Sequence, residues 1–282
     1  MLSEEQQQLA ARQDELIAAN IRQAKRRIVV FSGKGGVGKT TVAVNLAYGL
    51  HLQGRAIGIL DADITGPDVP KMLGLTGRVQ IDKEHIVPHE REGIKIVSMA
   101  SMIPPGQPVI WRGPMRSKML QELLGYVAWG PLDYLVADLP PGTGDEVMTL
   151  AQKMKPHLAI IVTTPQDLSL IDSRRAINMA REMNIPRVAL IENMSGLICP
   201  QCGHKIEPFG SGGGGRQAAE MAIPFLGSLP MDVRTRELAD QGQPIIHEGA
   251  ETEIAIALTA IIERVEHMMD NMIATPESAA AK

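Results

Sequence analysis

Phe31-Ser-Gly-Lys-Gly-Gly-Val-Gly-Lys-Thr-Thr41 is the stretch on which the reading of this chain turns. Ile28 to Phe31 forms a short apolar run of the kind that makes a buried strand. Gly33 to Thr40 fits G-x-x-x-x-G-K-[ST], the phosphate-binding loop. After it, Val42, Leu46 and Leu50 recur at helical spacing, with Ala43 and Ala47 beside them. Strand, glycine-rich loop, helix is the context that the motif needs, which a glycine-rich turn that binds nothing would not require. The glycines let backbone N–H groups converge on an anion, and the helix N-terminus adds the positive end of a dipole. The pattern directs Lys39 to the β- and γ-phosphates of a nucleotide and the Thr40 hydroxyl to Mg²⁺.

Outward from this loop, strands alternate with helices. Ala56 to Leu60 reads as a strand that ends in Asp61-Ala-Asp63, and acidic residues where a strand leaves the sheet suit metal or water positioning. Ile81 to Val87 and Ile94 to Val97 read as a small β excursion and a further core strand. Pro104 to Gly106 is a loop, Trp111 to Met115 follows, and Met119, Leu123 and Val127 mark a helix. Tyr134 to Ala137 ends at Asp138, the expected position of the Walker B acid, and Gly142 to Asp145 lie in a loop able to respond to a γ-phosphate. Strands follow at His157 to Thr163, Arg187 to Ile191 and Pro224 to Gly227. Ile254, Leu258, Ile261, Val265, Met268 and Met272 form the stripe of a long last helix. The expected fold is α/β: a single-domain P-loop NTPase with a mostly parallel sheet and helices on both faces. The expected divisions are a peripheral helix over 1–25, capped by Ser3, the ATPase domain over 26–272, and a frayed tail over 273–282. Lys25, Arg26 and Arg27 read as a solvated edge leading into the first strand.

Composition narrows the class. The 282 residues are 44% hydrophobic, enough for one large core, but only 3% aromatic, so the core must be aliphatic and Met-rich. Trp129 and the methionines read as packing residues. A net charge of -4 argues against bulk nucleic-acid binding. No apolar run is long enough to span a bilayer, and Met1 to Gln8 lacks the features of a signal peptide. Two cysteines fit a reducing compartment, so the expected location is cytoplasmic, with no membrane and no nucleic-acid partner.

The string Gly33-Lys-Gly-Gly-Val-Gly-Lys-Thr40 resembles the deviant P-loop of the MinD/ParA, arsenite-ATPase and nitrogenase iron-protein group. In that group the early lysine, here Lys34, reaches across a dimer to the partner's nucleotide. The resemblance therefore implies an ATP-controlled homodimer with Lys34 acting in trans.

Both cysteines sit in Cys199-Pro-Gln-Cys202-Gly203, within a loop near 197–215 that also carries the run Gly212 to Gly215. A thioredoxin-like redox pair fits poorly, because Gly203 and the loop after it oppose a helix. Zinc wants four ligands, as does a [4Fe–4S] cluster, and one chain offers two sulfurs. Two chains meeting on a twofold axis supply the full set. Spacing alone does not separate a cluster from an interfacial zinc.

Taken in order, the motifs resemble the Mrp/ApbC-type iron–sulfur cluster carrier family. They are GKGGVGKTT at Gly33 to Thr41, DADITGPDVP at Asp61 to Pro70, WRGPM at Trp111 to Met115, DLPPGTGD at Asp138 to Asp145, ENMS at Glu192 to Ser195 and CPQCG at Cys199 to Gly203. The resemblance implies that Gly33, Lys34, Gly35, Gly36, Val37, Gly38, Lys39, Thr40 and Thr41 hold ATP and Mg²⁺. It makes Asp61 and Asp63 the first switch, with Asp63 positioning the attacking water, and makes Asp138 the Walker B acid. Lys34, Lys39 and Asp63 are then the catalytic residues. Asn193 reads adenine through its amide, and Cys199 and Cys202 bridge a [4Fe–4S] cluster across the dimer for delivery to apo iron–sulfur proteins. Some relatives carry an extra N-terminal domain or an N-terminal four-cysteine cluster, and this chain shows neither. The competing expectation is a MinD/ParA-like regulatory ATPase with an interfacial zinc knuckle.

Overall fold

The computed structural model describes residues 4–64, 66–82, 85–102, 113–199, 201–248 and 252–273. Ser3, Thr65, the loop at Pro104 to Gly106, Trp111, Arg112, Pro200 and the tail from 274 lie outside the described residues. The chain opens with helix α1 (Glu4–Ile21), strand β1 (Ala24–Phe31), helix α2 (Lys39–Leu52), strand β2 (Ile57–Asp61) and the single turn α3 (Val69–Met72). Strands β3 (Gln80–Asp82), β4 (His85–Val87), β5 (His89–Arg91) and β6 (Ile94–Ser98) precede helix α4 (Gly113–Tyr126). Then come β7 (Leu132–Asp138), α5 (Asp145–Met154), β8 (Leu158–Thr163), α6 (Asp167–Glu182) and β9 (Arg187–Glu192). The last part holds β10 (Leu197–Ile198), β11 (Lys205–Ile206), α7 (Gly213–Glu220), β12 (Phe225–Ser228), α8 (Val233–Asp240) and α9 (Glu253–Ile273).

Eight strands form one sheet in the order β12-β9-β8-β1-β7-β2-β6-β5. Every pairing is parallel except β5 with β6, which is antiparallel. The strands read as unbroken apolar runs because both faces are covered. In β1 the side chains alternate: Val29 and Phe31 join the layer of α1, α4, α5, α6 and α7, while Ile28 and Val30 join that of α2, α3, α8 and α9. Helix α1 belongs to the first layer through Ile17 and Ile21, both buried. Trp129 is buried in the same layer.

Two short antiparallel hairpins stand apart from the sheet, β3–β4 and β10–β11. The second carries the cysteines. The basic run before the apolar part of β1 is not a solvated lead-in. Ala24, Arg26 and Arg27 are in register with β7, and Arg26 lies over the Tyr134 ring at 5.1 Å and pairs with Asp270 of α9. Lys25 alone points out, to Asp133 at 2.8 Å. Long cationic stems cover apolar surface while their heads find acids, so a strand can begin three charges earlier than its hydrophobic run. The loops after β1, β2 and β7 leave at the carboxyl ends of these parallel strands, beside the point where strand order reverses about β1. That is where ligands bind in open α/β sheets.

Candidate functional site

The phosphate loop spans the gap between β1 and α2. Ser32 donates its hydroxyl to the Lys34 carbonyl at 2.7 Å, which folds the start of the loop on itself. Gly36 and Gly38 have φ of 77° and 82°, so the loop requires left-handed backbone at both. A Cβ on Gly38 would also overlap the Asn193 amide. Lys39 opens α2 and is buried.

Around Lys39 the acids converge. Its ammonium donates to Asp138 Oδ1 at 2.6 Å, and Asp63 Oδ2 lies 3.9 Å away. The Thr40 hydroxyl donates to Asp138 Oδ2 at 2.7 Å. Asp138 closes β7 opposite Asp61 at the end of β2. Both carboxyls are fully buried. Burial pushes the Asp61 carboxyl well above the usual range, and the neighbouring Asp138 charge adds to this. Burial raises Asp138 too, while Lys39 and Thr40 pull it back down. Asp61 accepts from the Ser98 hydroxyl at 2.9 Å and from the Asp63 N–H at 3.1 Å. Asp63 in turn accepts from the Gly66 N–H at 3.1 Å.

A cleft of about 470 Å³ opens onto this cluster, lined by the phosphate loop with Lys39, Thr40, Asp63, Asp68, Pro141 and Met194. Asp63 borders it and Asp61 does not. The loop after β7 is tied to the phosphate loop, since the Gly142 N–H donates to the Ser32 carbonyl at 2.9 Å. Thr41 also lines the cleft. Lys34 is half-buried, and its ammonium makes no ion pair among the described residues. Asn193 is buried behind the loop, where its Nδ2 donates to the Val37 carbonyl at 2.9 Å. Its neighbour Met194, unexpected from sequence, supplies the side chain at the cleft wall. The left-handed φ of 59° at Met194 turns the chain there, a conformation without a composition signal.

The cysteines lie on the β10–β11 hairpin, Cys199 half-buried and Cys202 exposed. The Cys199 N–H donates to the His204 carbonyl and the Gly203 N–H to the Cys199 carbonyl, each at 2.9 Å, with Gly203 at φ 69°. Backbone N–H groups of Cys202 and then Gln201 point at the Cys199 sulfur and lower its thiol pKa. A knuckle with N–H groups aimed at sulfur favours the thiolate, the form that ligates metal. Among the described residues no three His, Cys, Asp or Glu side chains gather as a metal site, so within one chain the knuckle ends at two sulfurs. No described helix is long and apolar enough to cross a membrane.

Comparison with known proteins places the chain in a family. The family model described as the NUBPL iron-transfer P-loop NTPase, ParA, matches residues 23–266. An iron–sulfur cluster carrier protein of Pyrococcus horikoshii is 48% identical over 240 residues, covering 79% of both chains. One from Methanocaldococcus jannaschii is 45% identical over 265 residues, covering 92% of this chain and 91% of the other. Among solved structures, a nucleotide-binding protein of Archaeoglobus fulgidus in complex with ADP superposes with a TM-score of 0.73 at 39% identity, covering 84% of this chain and 94% of that one. The MinD cell division protein of Aquifex aeolicus has a TM-score of 0.64 at 20% identity, covering 86% and 97%, and so shares the fold. The chain belongs to the iron-transfer P-loop NTPases of the ParA group, the family in which the iron–sulfur cluster carriers stand.

Proposed function

We propose that this chain is an ATP-dependent iron–sulfur cluster carrier that holds a [4Fe–4S] cluster between two copies and passes it to apo iron–sulfur proteins in the cytoplasm. The observation that carries this reading is the short chain connection between its two sites. The cysteine hairpin starts where the chain has just touched the phosphate loop, through Asn193 and Val37. Iron-transfer relatives at more than 40% identity support it.

The residues fit a nucleotide with Mg²⁺. Loop N–H groups and Lys39 meet the phosphates, and the Thr40 hydroxyl beside the Asp138 carboxylate offers hard oxygen donors of the kind Mg²⁺ takes. Mg²⁺, when bound, offsets charge on the phosphate oxygens. Lys39 must leave Asp138 as the γ-phosphate arrives, which frees a carboxylate and couples nucleotide to the loop after β7. Asp63, at the cleft wall, orients the attacking water. Lys34 from the second copy adds positive charge where the transferred phosphoryl group gains negative charge. Hydrolysis is slow, because the event being timed is closure of the dimer. Asn193 keeps a carbonyl and a second N–H for a purine edge.

The cluster is cargo. Cys199 and Cys202 of each copy give four thiolates, the set a [4Fe–4S] cluster takes. Anaerobic reconstitution with iron(II) and sulfide tests the reading. Broad visible absorbance in the wild type that is lost in Cys199→Ser supports it. A colourless dimer loaded only with zinc contradicts it and favours a zinc-stapled regulatory ATPase.

A further inference from the structure

The run Gly212 to Gly215 takes no part in the nucleotide or cysteine sites described above. It forms the seat of one carboxylate. Glu192 ends β9 fully buried, and its Oε1 accepts from the Gly212 N–H at 2.9 Å while its Oε2 accepts from the Gly214 N–H at 2.6 Å. A negative group at the start of α7 also meets the positive end of that helix. A Cβ on Gly214 would come within 2.9 Å of Glu192 Cβ, so the approach needs glycine there.

The same Oε1 accepts from two hydroxyls, Ser195 at 2.6 Å and Ser228 at 3.3 Å. Ser195 begins the connection to the cysteine hairpin. Its N–H donates to the Leu229 carbonyl at 2.9 Å, and the Met231 N–H donates to the Gly196 carbonyl at 2.7 Å. Glu192 thus joins the base of the hairpin, the start of α7 and the end of β12 in one buried knot. The next residue, Asn193, touches the phosphate loop, and Met194 lines its cleft. Glu192 to Gly196 is therefore a continuous run of contacts from the phosphate loop to the hairpin.

We propose that Glu192 is a positioning residue: seated in the glycine run, it fixes the cysteine hairpin relative to the phosphate loop and so transmits nucleotide occupancy to the two thiols. The link to cargo release rests on the carrier reading, but the mechanical link does not. Amide hydrogen exchange over 195–206, with and without ATP and Mg²⁺, tests it without any cluster. In the wild type, ATP slows exchange of the hairpin. In Glu192→Gln, which sets an NH₂ among N–H donors, these amides exchange about tenfold faster without nucleotide, and the ATP effect is lost. Ser195→Ala, which removes only the hydroxyl, shows the same loss in milder form and keeps the test open if Glu192→Gln does not fold. Exchange in β8 and ATP affinity stay at wild-type values in Ser195→Ala, which separates positioning from general loosening. A wild-type hairpin indifferent to ATP, or variants that respond as the wild type does, overturns the proposal. Failure of the wild type to retain iron and sulfide, with the exchange coupling intact, overturns the carrier reading and leaves this link standing.

Discussion

Lys39 lies between two acids, Asp138 and Asp63. Its ammonium is buried against Asp138, so its removal takes away the proposed phosphate contact and the positive charge that faces the buried Asp138 carboxyl. Lys39→Ala should abolish tight ATP binding and also lower the stability of the protein by about 3 kcal/mol, the scale for breaking a buried pair. Calorimetric titration with ATP and thermal unfolding check the two effects, and retained affinity would count against the phosphate assignment. Lys34 differs, being half-buried and making no ion pair among the described residues. Lys34→Ala should bind ATP yet hydrolyse it at least tenfold more slowly, on the order of one lost charge contact at the reacting phosphate. Unchanged turnover would remove its role in trans. At this scale much was legible, because the glycine pattern, the two strand-end acids and the cysteine spacing are local signals. The Glu192 seat was not. A glutamate and a glycine run well apart in sequence meet only after the fold has formed.

The strands and helices were legible where apolar runs are long, as in β7, β8 and α9. Their ends were not, and β1 shows why. Its first residues are charged, yet they pair with β7 because Tyr134, Asp133 and Asp270 accept them. The same start of β1 makes an acid-sensitive contact. His157, just before β8, accepts the Arg27 N–H through Nδ1 at 3.1 Å, with the Arg27 guanidinium 3.0 Å from the other ring nitrogen. Burial, then the charges of Arg27 and Arg26, lower its pKa from 6.5 to about 4. The ring is therefore neutral in the fold while the unfolded chain takes up a proton below about 6.5. Stability from this site is intact above that pH and falls as pH drops toward 4. His157→Gln should flatten the decline of melting temperature between pH 6.5 and 4, whatever its effect at pH 7.5. An unchanged slope would show that the acid sensitivity lies elsewhere.

Across the whole molecule, one sheet puts a nucleotide cleft and a two-sulfur knuckle at the end of adjoining elements. The sheet order and the crossing loops account for the cleft. In the proposed dimer a second copy completes the knuckle, because one chain offers two thiols and a [4Fe–4S] cluster takes four. On that proposal, closure of the dimer over ATP acts on both sites together, through Lys34 and through the hairpin. The mass of anaerobically loaded protein, with iron and sulfide counted on the same sample, tests this most directly. The expected particle has twice the chain mass and holds one cluster, and it falls apart into colourless single chains in Cys199→Ser. A particle of single-chain mass that keeps its full iron and sulfide would contradict it.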